Sequence, residues 1–180
     1  MKYLVASDIH GDKKGAQAVV DAYHYHQADH ILLLGDLLYH GPRNDLPEHY
    51  APKETMEILN SVWNKITAVR GNCDAEIDQM VLKFPITADY QVLPFRGHRL
   101  FVSHGHIYGP DNYPLLEKED IFLFGHIHVP VLEKENEHYI LNPSSISLPK
   151  ENHPRTYAIL DETGFTLYTL DHQEYLSMKF

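Results

Sequence analysis

Cysteine is nearly absent from this sequence: Cys73 is the only one. No disulfide can form within the chain, so loops are not stapled by sulfur, and the composition suits a reducing compartment. Positive charge is scarce as well, with 15 Lys and Arg against 25 Asp and Glu and a formal net charge of −10. A surface of that sign repels a nucleic-acid backbone, so stable DNA or RNA binding is not expected. Long apolar runs are missing too. The opening MKYLVASDIHGD carries about five apolar residues before its first acid, whereas a membrane helix needs ~20 and a signal-peptide core ~7–15. The reading is a cytoplasmic protein with no membrane partner.

What is present fits one folded unit. Across 180 residues, 43% are hydrophobic and 22% charged, a globular composition large enough to bury its own core. No linker, repeat or low-complexity stretch divides the chain, so residues 1–180 are expected to form one domain. Histidine is the excess: there are 14, and their placement matters more than their number.

The first half alternates strand and helix patterns. Lys2 to Ser7 reads as a buried strand, and Ala16, Val19, Val20 and Tyr23 then recur at helical spacing over residues 13–27, with Asp12 placed to cap. His30 to Gly35 (HILLLG) reads as a second buried strand. Residues 37–51 have no clean period and read as a loop long enough for a lid. Pro52 opens a helix to about residue 64, with Met56, Leu59 and Trp63 on one face, and Ile66 to Val69 gives a third strand. Strand, helix, strand implies parallel βαβ connections.

The second half is rich in short β patterns near 90–95, 99–103, 121–124, 131–133, 139–141, 157–160 and 165–170. Tight turns are visible at Arg96-Gly97-His98, Glu135-Asn136-Glu137 and Glu162-Thr163-Gly164. A parallel first half and a hairpin-rich second half predict an α/β fold of two packed mixed β-sheets flanked by helices.

Five of these strand patterns run directly into potential metal ligands: Asp8-x-His10, Gly35-Asp36, Gly71-Asn72, Ser103-His104-Gly105-His106 and Gly125-His126-Ile127-His128. Ligands of α/β sheets bind beyond the carboxyl ends of strands, so the five clusters are expected to converge. On an extended strand His126 and His128 would share one side, as would His104 and His106. Oxygen and imidazole donors without thiolates suit Mn²⁺, Fe, Zn²⁺ or Mg²⁺ in a catalytic rather than a structural site. A lone acid at a central strand end, such as Asp36, is suited to bridge two ions.

This set of motifs, from Asp8 to about Ser145, resembles the calcineurin-like metallophosphoesterases, in particular their small bacterial and archaeal phosphodiesterase branch. The resemblance implies a four-layer α-β-β-α sandwich and two divalent ions, most often Mn²⁺, with Fe, Zn²⁺, Ni²⁺ or Mg²⁺ as alternatives. One ion would be held by Asp8, His10, Asp36 and His128, the other by Asp36, Asn72, His104 and His126. It also implies a phosphodiesterase in which a hydroxide bridging the metals attacks phosphorus, with Asn72, Asp36 and His104 carrying catalysis. The pair of cations would make the pocket electropositive inside an acidic protein.

Cys73 departs from the wider superfamily, where His often follows the Gly-Asn pair and helps protonate the leaving oxygen. A thiol is a weaker acid catalyst, so the expected substrate is a small phosphodiester whose leaving group needs little protonation. Asn72, His40, Arg43, Cys73 and His106 are the expected substrate contacts, and the Asn142-Pro143-Ser144-Ser145 turn is expected to set backbone geometry. Arg70 is expected to pair with a nearby acid. The compact His-x-His-x-Asp-His run of metallo-β-lactamase-type hydrolases is absent. The other reading is a non-catalytic interaction scaffold of the same fold, and a homodimer is the expected assembly.

Overall fold

The computed structural model describes residues 1–180. Three short strands, β1 (Tyr3–Ala6), β2 (His30–Leu33) and β3 (Ile66–Ala68), alternate with helices α1 (Lys13–Tyr25), α2 (Pro52–Ser61) and α3 (Glu76–Val81). The chain then builds β4 (Tyr90–Phe95), β5 (His98–Ser103), β6 (Ile121–Leu123), β7 (Pro130–Glu135) and β8 (His138–Pro143), and closes with β9 (Thr156–Asp161), β10 (Gly164–Thr169) and β11 (Glu174–Lys179). The six-stranded sheet has the order β11-β10-β9-β1-β2-β3, and the five-stranded sheet β4-β5-β6-β8-β7. Both are mixed. The β1-β2-β3 pairings are parallel while β9 joins β1 antiparallel, and β5, β6 and β8 run parallel between two antiparallel edges.

Period-two alternation explains the layering. In β1, Leu4 and Ala6 face the helices and join Val19 of α1 and Leu59 of α2. Tyr3 and Val5 face the other sheet and pack with Val102, Leu123 and Leu141. Burial of this two-sided kind is why β1 and β2 read as unbroken apolar runs. The outer face of the second sheet carries Phe122, Phe124 and Ile140 and is covered by Tyr108 and Leu116. Both come from the irregular segment after β5, so the fourth layer implied by the resemblance is built by a loop, not a helix.

Asp12 caps α1 by accepting from the backbone N–H groups of Lys14 and Gly15, as the sequence predicted. The helix expected to reach residue 64 stops at Ser61 and is followed by a 3₁₀ turn, Trp63–Lys65. No helix is long and apolar enough to cross a membrane.

Candidate metal centre

The parallel strands of both sheets end on one side of the molecule, and the chain turns sharply at each end. Asp8, His10, Asp36, His126 and His128 adopt positive φ values of 56°, 51°, 55°, 67° and 61°. Left-handed backbone is uncommon for residues other than glycine and costs energy that the surrounding structure must offset. Here backbone hydrogen bonds hold it: Asp8 N–H to the Gly35 carbonyl at 3.1 Å, His10 N–H to Asp36 at 2.9 Å and Gly125 N–H to His104 at 2.7 Å. These kinks correct two sequence-based expectations. β5 stops at Ser103 and β6 at Leu123, so neither histidine pair lies along an extended strand. The turn at Gly125 to His128 instead aims His126 at His104 and His128 at His10.

The glycines that precede the candidate ligands are required by close approach. A Cβ on Gly71 would fall 2.1 Å from Asp36 Oδ1, and one on Gly125 would fall 1.9 Å from Ser7 Oγ and 2.9 Å from Asp8 Oδ2.

Seven side chains meet as a result. His10 Nε2 lies 3.2 Å from His128 Nε2, 3.6 Å from Asp8 Oδ1 and 3.7 Å from Asp36 Oδ2. His104 Nε2 lies 3.5 Å from Asp36 Oδ2, 3.1 Å from Asn72 Oδ1 and 3.2 Å from His126 Nδ1. Asp36 Oδ2 therefore stands between the two histidine groups, the position a bridging carboxylate needs. Asn72 turns its oxygen toward His104 and its amide N–H toward Cys73 Sγ, 3.3 Å away.

Backbone carbonyls fix the imidazole tautomers. Nδ1–H of His10 donates to Tyr39 O at 2.8 Å, that of His104 to Leu34 O at 2.6 Å and that of His128 to Leu148 O at 2.6 Å. When neutral, each ring presents the Nε2 lone pair inward. In that state lone pairs face lone pairs, and Asp8 Oδ1 is buried without a hydrogen-bond donor, although His128 Nε2 is 3.1 Å away. Such a cluster of acceptors is satisfied by cations. Two carboxylates, four imidazoles and an amide oxygen fit a pair of divalent ions of intermediate hardness.

Electrostatics point the same way. Burial pushes His104 down, but Asp36 and Asp8 outweigh it and raise the ring to about 9. Burial, and then the charge on His104, push His126 down to about 4. Asp8 and Asp36 stay below the usual carboxylate range despite burial, because histidine rings line them. The cluster therefore attracts positive charge, and a proton competes for the place of a metal. Burial, together with the nearby carboxylates of Asp36, Asp74 and Asp8, pushes the Cys73 thiol up to about 12.

A cavity of about 380 Å³ opens over the cluster, lined by Asp36, Asn72, Cys73, His126 and His128 with Arg43 and Lys150. Arg43, an expected substrate contact, is in this lining. His40 is not in the lining: its ring packs edge-on against Tyr39 and Tyr50, with centroids 4.7 and 5.3 Å apart. His106 lies behind His104 and His126, at 5.4 and 6.3 Å. Arg70 pairs with Asp89 at 2.6 Å. The turn after β8 sets backbone geometry as expected: Ser145 Oγ donates to Asp8 O at 2.8 Å and Ser144 Oγ to His128 O at 2.9 Å.

Two residues were missed. Lys150 adds a cation to the rim, and only its nearness to the Asn142 turn hinted at this. Asp74 accepts backbone N–H bonds from Asp36 at 2.8 Å, Leu37 at 2.8 Å and Gly71 at 2.7 Å. Its adjacency to the Gly-Asn pair was the available signal.

Known proteins resemble this chain in sequence and fold. The chain is 45% identical over 177 residues to phosphodiesterase YfcE of Escherichia coli strain K12, covering 98% of this chain and 96% of the relative. It is 27% identical over 167 residues to the probable metallophosphoesterase YsnB of Bacillus subtilis strain 168, covering 89% and 83%. The solved structure of YfcE, described as a phosphoesterase from E. coli, superposes with a TM-score of 0.96 at 44% identity, covering 99% of each chain. A family model for the calcineurin-like phosphoesterase superfamily domain matches residues 1–164. Convergent strand ends, a two-sheet core and this likeness over nearly the whole length have one reading: the chain belongs to the calcineurin-like phosphoesterase superfamily.

Proposed function

We propose that this metal-dependent phosphoesterase is a phosphodiesterase whose single 1–180 domain holds two ions, with Mn²⁺ the preferred metal. Asp8, His10, Asp36 and His128 would hold one, and Asp36, Asn72, His104 and His126 the other. The observation that carries this reading is the set of inward lone pairs around the orphaned Asp8 Oδ1. When bound, the ions supply Lewis acidity toward phosphoryl oxygens and make a water nucleophile available near neutral pH.

The remaining work belongs to the chain. Arg43 and Lys150 at the cavity rim attract an anionic substrate despite the acidic surface, Arg43 with a fork suited to two phosphoryl oxygens. The amide of Asn72, free on its N–H side apart from a weak contact to sulfur, offers a hydrogen bond to a phosphoryl oxygen. Asp74 fixes the backbone of Asp36 and Gly71, which keeps in place the carboxylate that would be shared by the two ions. Cys73 replaces a stronger acid beside the site, which favours diesters with good leaving groups such as aryl esters. The small phosphodiester is met in the cytoplasm by a homodimer.

The test is to strip the protein with a chelator and refill it with Mn²⁺, Mg²⁺, Zn²⁺, Ni²⁺ or Fe²⁺. Bis(p-nitrophenyl) phosphate, p-nitrophenyl phosphate and cyclic nucleotides are then assayed. Hydrolysis of the aryl diester ahead of the monoester, highest with Mn²⁺, is the expected result. Binding of two ions per chain with no turnover of any ester would favour the scaffold reading.

A further inference from the structure

A second cavity, also about 380 Å³, adjoins the metal cavity and has the opposite chemistry. Its walls are Leu38, Tyr39, Tyr50, Met56, Ile77 and Val81, and Cys73 lines both cavities. The partition is thin. Gly41, in the lining of the metal cavity, lies so close to Cys73 that a Cβ there would sit 2.8 Å from Sγ. On the apolar side, Tyr39, Ile77 and Val81 are left 43%, 58% and 40% exposed. Large apolar groups held in water beside a polar cavity have no role in the core, and a pocket of this size and lining is of the kind that binds small ligands.

We propose that this pocket seats an apolar, ring-sized arm of the phosphodiester, so that substrates carry an aryl or similarly flat apolar alcohol on one ester oxygen. This rests on the phosphodiesterase reading above and names the substrate class for that site. Continuity supports this occupant: an ester held over the metal cluster has the apolar pocket on the other side of Cys73. The lining suits a ring, since phenol faces and a thioether make favourable contacts with aromatic groups. The pocket is also joined to the metal cluster through Tyr39, whose ring forms part of the wall and whose carbonyl accepts the Nδ1–H of His10 at 2.8 Å. An arm resting on Tyr39 therefore presses on the residue that orients a candidate metal ligand.

Phosphonates with a single arm test this without ambiguity about which ester oxygen departs. Methyl-, phenyl- and naphthylmethylphosphonate, with inorganic phosphate as reference, are measured as competitive inhibitors of bis(p-nitrophenyl) phosphate hydrolysis by the Mn²⁺-loaded protein. Inhibition should tighten roughly tenfold or more from methyl to the ring-bearing compounds. That ratio should collapse toward one in Ile77→Glu and in Val81→Trp. Both changes are at exposed positions, the first placing a charge in the wall and the second filling the pocket.

Equal inhibition by methyl- and naphthylmethylphosphonate in the unchanged protein would overturn the proposal while leaving the phosphodiesterase reading intact. A ratio that survives both substitutions would overturn it as well, because the arm would then lie elsewhere. Loss of a dimer in Ile77→Glu with no effect of arm size would assign the face to a second copy of the chain. Absence of diester hydrolysis with every metal would instead sink the phosphodiesterase reading.

Discussion

Removing the Asp74 carboxylate tests whether the metal cluster is held in place by residues that never touch it. Asp74 joins the loops after β2 and β3, because its Oδ2 accepts from Asp36 N–H at 2.8 Å and Gly71 N–H at 2.7 Å while its Oδ1 accepts from Leu37 N–H at 2.8 Å. Burial raises its pKa, and the three backbone donors offset that cost only in part. In Asp74→Asn one oxygen becomes an N–H₂ group that faces a backbone donor. At least one buried N–H is orphaned, a loss of about 1–3 kcal/mol. Displacement of Asp36, the shared candidate ligand, should weaken metal binding about 10–100-fold, the usual penalty for losing a partner that orients a ligand. Calorimetric Mn²⁺ titration of the chelated variant measures the affinity, and thermal unfolding of the metal-free protein measures the stability loss. A variant that is less stable by the stated amount but binds Mn²⁺ as tightly as the parent would refute the positioning role.

Gly125→Ala puts a methyl group into Ser7 and Asp8, so the metal-free protein should lose about 1–3 kcal/mol by overpacking, seen as an earlier urea midpoint together with weakened metal uptake. Cys73→His should speed alkyl p-nitrophenyl esters little and dialkyl esters with poor leaving groups about 100-fold, the lower range for an added general acid; an unchanged ratio between good and poor leaving groups would sink the leaving-group idea. In the metal-free protein the ring of His104 is raised to about 9, above the ~6.5 of an unfolded histidine. Its stabilisation is therefore complete below about pH 6.5 and lost as pH rises through about 9, an effect of up to about 3 kcal/mol, or roughly 6–12 °C in Tm for a chain of this size. Metal binding expels that proton, so Mn²⁺ affinity should rise with pH up to about 9 and the loaded protein should lose this dependence; a metal-free Tm that is flat from pH 6.5 to 9 would contradict the assignment.

Most of the layering was legible because buried strands leave a simple trace. HILLLG can be satisfied only by burial on both faces, and a Pro-opened or Asp-capped amphipathic segment between such runs can only be a crossover helix. The last strand was not legible. β11 is an edge strand in which Leu176 remains 40% exposed, and its pairing with β10 shifts register between Leu167 and Tyr168, so the alternation that marks a strand is blurred. α3 escaped for a related reason: at six residues it is too short for helical periodicity to show, and Ile77 and Met80 point outward at 58% and 79% exposure.

The candidate ligands were found from chemistry and spacing, but their geometry could not be read by extending the strands. Alternation assumes extended φ and ψ, and it fails where the chain becomes useful: His126 and His128 sit in left-handed backbone and project toward different partners. The sequence did carry a sign of this in the glycines at 35, 71 and 125. For Gly71 and Gly125 the cause is a neighbouring acid or serine so close that no Cβ fits. The Gly-ligand pairs at 71 and 125 thus recorded the convergence of strand ends, since a Cβ at either position would collide with a side chain of a neighbouring strand end. His40 shows the limit of that sign. Its type and its place in a loop suited phosphate binding, and the adjacent Gly41 does reach the metal cavity, yet the His40 ring packs edge-on against Tyr39 and Tyr50 and is not in the lining. A glycine marks where backbone reaches the site, and the packing around each neighbouring side chain then decides whether its ring faces the cavity.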